Sequence, residues 1–313
     1  MINRNRKVSR ILALLAGFAL LTGIGAPARA ATDPELPSFP TALLYSLGNP
    51  DATPPGANDW SCTPSPSHPR PVVLVHGTWE NRYDNFAKLS PALKRDGYCV
   101  FALNYGARGP GLIGQAPAVK GYGDIGESAK DLAAFVDRVR ASTGSGDVDL
   151  VGHSQGGMLA RQYLKFEGGA GKVHTLVSLG ATHHGTTLSG IATLAETLHL
   201  LGFSPLLLGE AAQQQVVGSP FLAKLNAGGD TVPGVGYLAI ATKYDEVTTP
   251  YSSAFLTAGP GATVRNVTLQ DGCALDLSDH LSMTYSARAI GLVKQGLDPS
   301  APPAPCGVNL PVL

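Results

Sequence analysis

The sequence predicts an α/β fold, a mostly parallel sheet with helices on both of its faces. Three observations carry that prediction. Six short strand-like runs rich in Val, Leu and Ile punctuate the chain, the first fully apolar as in a strand buried on both faces. Segments with apolar residues at three-to-four spacing separate several of them, the pattern of parallel strands joined by helical crossovers. The composition can fill such a core: 44% of the 313 residues are hydrophobic and 15% charged. That excludes a disordered chain, and the plentiful Gly and Pro show no collagen-like period.

The elements follow in order. Residues 1–30 read as a secretory signal peptide. Arg4, Arg6, Lys7 and Arg10 come without an acid, residues 11–26 are apolar or small, and Ala28-Arg29-Ala30 is a small-x-small cleavage site. A membrane anchor is the weaker reading, because Gly23, Gly25 and Pro27 interrupt the run short of a comfortable span. Residues 31–313 are then expected to form a single domain. Residues 31–70, rich in Pro, Ser, Asn and Asp, read as an irregular wrap. Strands are predicted at 71–75, 98–103, 147–151, 173–179, 235–240 and 263–269, and helices at 86–95, 125–139, 155–166 and 281–294. Between the fourth and fifth strands the pattern is least regular. An apolar helical face over 188–208, broken by Gly202 and Pro205, reads as a packed helix pair or as a cap, with 185–222 the cap segment.

Charge and cysteine narrow the function. The formal net charge is 0, from 23 basic and 23 acidic residues. A nucleic-acid binder needs a basic excess, so that class is excluded. Loss of residues 1–30 removes five basic residues and leaves 18 against 23, a mildly acidic chain of net −5. No later segment could span a bilayer. Cys62, Cys99, Cys273 and Cys306 remain, and an even count in an exported chain reads as two disulfides with three connectivities open. The spacings of a zinc site are absent.

In parallel α/β sheets the chemistry collects beyond the carboxyl ends of the strands. After the third strand stands Gly152-His153-Ser154-Gln155-Gly156-Gly157, a G-x-S-x-G motif in the strand–turn–helix context that the motif requires. Such a turn projects the serine hydroxyl from the sheet. After the first strand stands Val75-His76-Gly77-Thr78-Trp79, the loop that contributes one oxyanion donor. The backbone N–H groups of Thr78 and Gln155 are therefore the candidate oxyanion hole. His76 reads as a structural strand-end residue.

A serine needs a base and the base an orienting acid. Of eight histidines, His68, His153, His174 and His199 are poorly placed, and the side chain of His153 is expected to point away from the serine. His183 and His184 follow the fourth strand and compete with His280, which follows the sixth and opens the last predicted helix. The chain order serine, acid, histidine favours Asp245 and His280. Asp276 and Asp279 read as caps of the last helix.

These runs, with Tyr244-Asp245-Glu246-Val247-Thr248-Thr249-Pro250-Tyr251 and Asp279-His280, resemble the secreted class 2 lipases of actinobacteria, which are α/β-hydrolases, over about 60–299 of the chain. A more distant similarity is to the fungal lipase B type. The resemblance implies an α/β-hydrolase fold and an ester hydrolase with Ser154 as nucleophile, Asp245 as acid and His280 as base. It also implies the pairings Cys62–Cys99 and Cys273–Cys306. Relatives often carry further cysteines before the Gln-Gln stretch that here lies within 210–215; none occurs here, so this stretch is expected to be looser. The expected protein is a secreted monomer acting on lipid or other esters, without metal or organic cofactor. A polyester hydrolase would use the same machinery, and a non-catalytic envelope protein on this scaffold is the reading from another class.

Overall fold

The computed structural model describes residues 33–109, 116–198 and 208–312. The predicted signal segment, and the 199–207 part of the predicted cap with His199 and Gly202, lie outside the described residues. All six predicted strands form: β1 (Val72–Val75), β2 (Val100–Leu103), β3 (Val148–His153), β4 (Val173–Leu179), β5 (Gly236–Ala241) and β6 (Thr263–Thr268). They make one sheet in the order β2-β1-β3-β4-β5-β6, and every neighbouring pair is parallel. The chain winds from β1 to β2 in one direction and from β3 to β6 in the other. The switch point therefore lies between β1 and β3, where a crevice opens beyond the carboxyl ends. The loops after these two strands carry Thr78 and Ser154.

The described helices are α1 (Phe39–Gly48), α2 (Arg82–Phe86), α3 (Leu89–Arg95), α4 (Ile125–Thr143), α5 (Gln155–Phe166), α6 (Leu188–Thr197), α7 (Glu210–Gln214), α8 (Pro220–Asn226) and α9 (Ala287–Leu297). Strand alternation divides the core. Val73, Val75 and Leu150 pack with Ile125, Leu132 and Val136 of α4 and Leu159 of α5. Val72, Leu74 and Val151 pack with Leu89 and Leu93 of α3 and Val293 of α9. α4 is capped at both ends: the Asp124 side chain accepts from Glu127 N, and Gly144 closes the helix in the left-handed region.

Three expectations change. The stretch 31–70 is not wholly irregular, because it contains α1. Phe39, Ala42 and Ser46 form its buried face, whereas Leu44 and Leu47 are exposed and blur the amphipathic pattern. The segment 86–95 is two helices, with α2 ending at Phe86 and α3 starting at Leu89. Pro91 falls in the first turn of α3, where a missing N–H costs nothing. The last helix starts at Ala287, not near 281. A 3-10 turn over Ser282–Tyr285 precedes it, and its cap is Ser286, whose side chain accepts from Ala289 N.

Cys62 is bonded to Cys99 and Cys273 to Cys306. The first bridge ties the chain before β1 to the start of β2. The second ties the loop after β6 to the C-terminal segment. No helix among the described residues is long and apolar enough to cross a membrane.

Candidate active site

Ser154 is the single residue between β3 and α5, with φ 52° and ψ −125°. A non-glycine residue in that region is strained and is held there by its surroundings. The spacing of the glycines has a steric cause. A Cβ on Gly156 would stand 2.1 Å from the Val75 carbonyl oxygen, and one on Gly152 would stand 2.6 Å from the Gly156 carbonyl carbon. Strand and helix can meet this tightly only with glycine at both places.

The structure brings Ser154, His280 and Asp245 together. His280 Nε2 lies 2.9 Å from Ser154 Oγ, and His280 Nδ1 lies 2.9 and 3.0 Å from the two Asp245 oxygens. A carboxylate only accepts, so Nδ1 carries the proton and Nε2 is free to accept from the serine. Asp245 follows β5, and its Oδ1 also accepts from Val247 N at 3.0 Å and Thr248 N at 2.6 Å. A backbone bridge between Tyr244 and Asp279 joins the acid and histidine loops. Burial opposes charge on His280. The Asp245 carboxylate, by its charge and its hydrogen bond, and then Glu80 and Asp279, outweigh that and lift the imidazole above its ordinary 6.5.

Thr78 and Gln155 meet beside the serine. Neither backbone N–H has an acceptor among the described residues. The Thr78 hydroxyl accepts from Gln155 Nε2 at 3.0 Å and from Gln215 Nε2 at 2.8 Å. Both lone pairs are thus occupied, and its own proton is left to donate. Gln155 is further held by the Gly121 carbonyl at 2.9 Å.

The competing histidines are engaged elsewhere. His183 is buried with Nε2 3.0 Å from Ser178 Oγ, and burial pushes it well below 6.5. His184 lies 3.0 Å from Asp230 and 3.1 Å from the Ser253 carbonyl. His76 stacks on Tyr105 and donates to the Gly77 carbonyl, and burial pushes it down to about 4. His68 packs against the Tyr98 ring, and His174 contacts Asp149. His153 points away from the serine, as its position on the turn predicts, and donates from Nε2 to the His280 carbonyl at 2.9 Å. Neither Asp276 nor Asp279 caps α9 directly. Asp276 accepts from the capping Ser286 hydroxyl at 2.5 Å, and Asp279 accepts from Ser282 N at 2.8 Å.

The stretch within 210–215 is not loose. Gln214 accepts from Ile125 N and donates to Asp124. Gln215 accepts from the Thr182 hydroxyl and donates to Thr78. Sequence reasoning missed three side chains at the site: Gln215, Glu80 and Asn85. Glu80 is buried behind Gly77 and accepts from its N–H at 3.0 Å, and Asn85 accepts from the same N–H at 3.1 Å. None of the three belongs to a spaced motif, so only their placement singles them out. Burial pushes the Glu80 carboxyl up, but His153, His280 and His76 prevail and hold it below its ordinary range.

Residues 70–215 match the family model of the alpha/beta hydrolase fold. Over 228 residues the chain is 26% identical to a triacylglycerol lipase of Pseudarthrobacter phenanthrenivorans, covering 70% of this chain and 64% of that protein. It is equally similar to a triacylglycerol lipase of Burkholderia plantarii, covering 57% of it. The chain thus spans less than two thirds of the length of these curated relatives. Among solved structures, lipase B of Aspergillus fumigatus superposes with a TM-score of 0.61 at 20% identity, over 83% of this chain and 60% of that one. The mature lipase BlEst2 of Bacillus licheniformis superposes with a TM-score of 0.52 at 19% identity, over 75% and 94%. With its parallel sheet and these matches, the chain has the α/β-hydrolase fold and is a distant relative of lipases of that type.

Proposed function

We propose that this chain is a secreted serine ester hydrolase acting on acylglycerols through an acyl-enzyme. The observation that carries the reading is the continuous contact from Ser154 through His280 to Asp245. Ser154 Oγ attacks the ester carbonyl as His280 Nε2 takes its proton. Asp245 holds the imidazole in the accepting tautomer and stabilises it once charged. The N–H groups of Thr78 and Gln155 receive the oxyanion, and the free Thr78 hydroxyl proton is a third donor. His280 then protonates the departing alcohol. Water, deprotonated by the same histidine, releases the fatty acid and restores Ser154. The names of the relatives favour acylglycerol as the ester. The two disulfides and the leader-like residues 1–30 are compatible with export.

The test is hydrolysis of emulsified triacylglycerol and of a soluble short-chain ester by the protein and by Ser154→Ala, His280→Ala and Asp245→Asn. Each variant is expected to stay folded and to lose about 10⁴-fold or more in kcat. Full activity in Ser154→Ala refutes the mechanism. Activity on polyester film with none on triacylglycerol assigns the site to polymer instead.

A further inference from the structure

We propose that Glu80 and His153 form a buried strut that positions the His280 base, a role that rests on the hydrolase reading above. His153 Nε2 lies 2.9 Å from the His280 carbonyl oxygen, and the two rings are 4.9 Å apart. His153 Nδ1 lies 3.0 Å from Glu80 Oε2, and that oxygen also accepts from Gly77 N at 3.0 Å. Asn85 braces the same corner, with Nδ2 2.9 Å from His153 Nδ1 and Oδ1 3.1 Å from Gly77 N. One carboxylate thus connects the backbone before Thr78, the residue before Ser154 and the backbone of His280. These are the three loops whose relative placement the reaction needs.

The proton inventory makes the two side chains a unit. A carbonyl only accepts, so His153 Nε2 must carry a proton. Two bare lone pairs do not rest 3.0 Å apart, so a second proton lies on the Glu80–His153 contact, whichever atom holds it. The pair has zero net charge in either form, which is how an acid and an imidazole this deeply buried, 1% and 0% exposed, can persist. Neither touches Ser154 Oγ or the oxyanion donors. Their effect passes through the His280 backbone, so both are positioning residues. An angular error of the base is costly because proton transfer needs a narrow geometry.

The test uses His153→Phe, Glu80→Leu, the double variant and Glu80→Gln. Phenylalanine keeps a ring but removes both ring nitrogens. Glutamine can still hydrogen-bond His153 Nδ1 through its amide, and Gly77 N keeps the Asn85 oxygen as an acceptor, so the strut is preserved. In folded protein, His153→Phe and Glu80→Leu are each expected to lower kcat on a soluble short-chain ester roughly ten- to a hundredfold, with KM unchanged. The double variant should be no worse than the poorer single one, and Glu80→Gln should recover most of the rate. Phosphonylation of Ser154 by a fluorophosphonate should slow in parallel. A folded His153→Phe that reacts at the wild-type rate overturns the strut, as do losses that multiply in the double variant. If the unaltered protein is itself inert to the fluorophosphonate, the hydrolase reading fails first and the strut with it. The two failures are therefore distinguishable.

Discussion

Gln215 Nε2 donates to the Thr78 hydroxyl at 2.8 Å across 137 residues of sequence. One residue comes from the β4–β5 connection and the other from the loop after β1. The same pair of segments is joined again where the Trp79 indole N–H donates to the Leu208 carbonyl at 2.8 Å. This end of the connection is therefore a fixed post beside the site.

Thr78→Val is expected to remove the proposed third oxyanion donor and to leave one proton on each of two buried amides without an acceptor, the other protons staying on the Gly121 and Ala211 carbonyls. Loss of one oxyanion donor costs about 10²-fold or more in kcat, and Thr78→Ser should retain most activity. Steady-state kinetics on a soluble ester check this. Equal rates for the Val and Ser variants would show that the hydroxyl donates nothing to the reaction.

The rate should rise with pH through an apparent pKa above 6.5, because His280 must be neutral to accept the serine proton and Asp245 raises its pKa. The effect on stability has the opposite sense. A histidine raised on folding stabilises the native state below its unfolded value of 6.5, and that contribution is lost as pH rises through the raised value. Asp245→Asn should move the rate profile towards lower pH. A profile unmoved by this substitution would refute the coupling.

Cys273–Cys306 closes a loop of sequence separation 33 that contains His280, and Cys62–Cys99 one of separation 37. Loop closure gives each about 4 kcal/mol at most. Replacing Cys273 and Cys306 together by Ser should lower the unfolding free energy by up to that amount and also depress kcat. Removal of the first bridge should cost stability and depress kcat as well, because its loop contains Thr78 and Glu80. Denaturant titration with parallel assays separates the two.

The β4–β5 helices offer a chain-length test. Leu194 is buried with Trp79 and Tyr83, so its replacement by Ser should destabilise the fold rather than alter specificity. Leu188, at the start of α6, is 73% exposed. Leu188→Ser should leave short soluble esters unaffected and lower activity on emulsified long-chain ones. Equal loss on both would mean that Leu188 does not meet the acyl chain.

Asp230 accepts from the buried Arg161 at 3.3 Å and contacts His184, so the segment before β5 is tied to α5 and to the loop after β4. Asp230→Ala leaves the buried guanidinium with backbone carbonyls but no countercharge and should cost about 3–5 kcal/mol of stability. Arg161→Met with Asp230→Asn should cost much less. A fold insensitive to Asp230→Ala, measured by thermal unfolding, would refute this account.

Strands β1 to β5 were legible in the sequence because burial leaves local apolar runs, whereas the edge strand β6 is largely exposed and carries only Val264 and Val267 as apolar marks; the turn at Ser154 was legible because its two glycines answer a local steric demand. Asp245 and His280 could be nominated from chain order and strand ends alone. Helix α1 was not legible, since exposed Leu44 and Leu47 conceal its inward stripe. From the residues themselves, without the family resemblance, three cysteine pairings were equally open. Only the tertiary structure brings Glu80 beneath His153, 73 residues away, and Gln215 against Thr78. Such contacts leave no periodic mark on the chain. A buried polar group needs a partner in space, and the folded packing of the loops decides which one it finds.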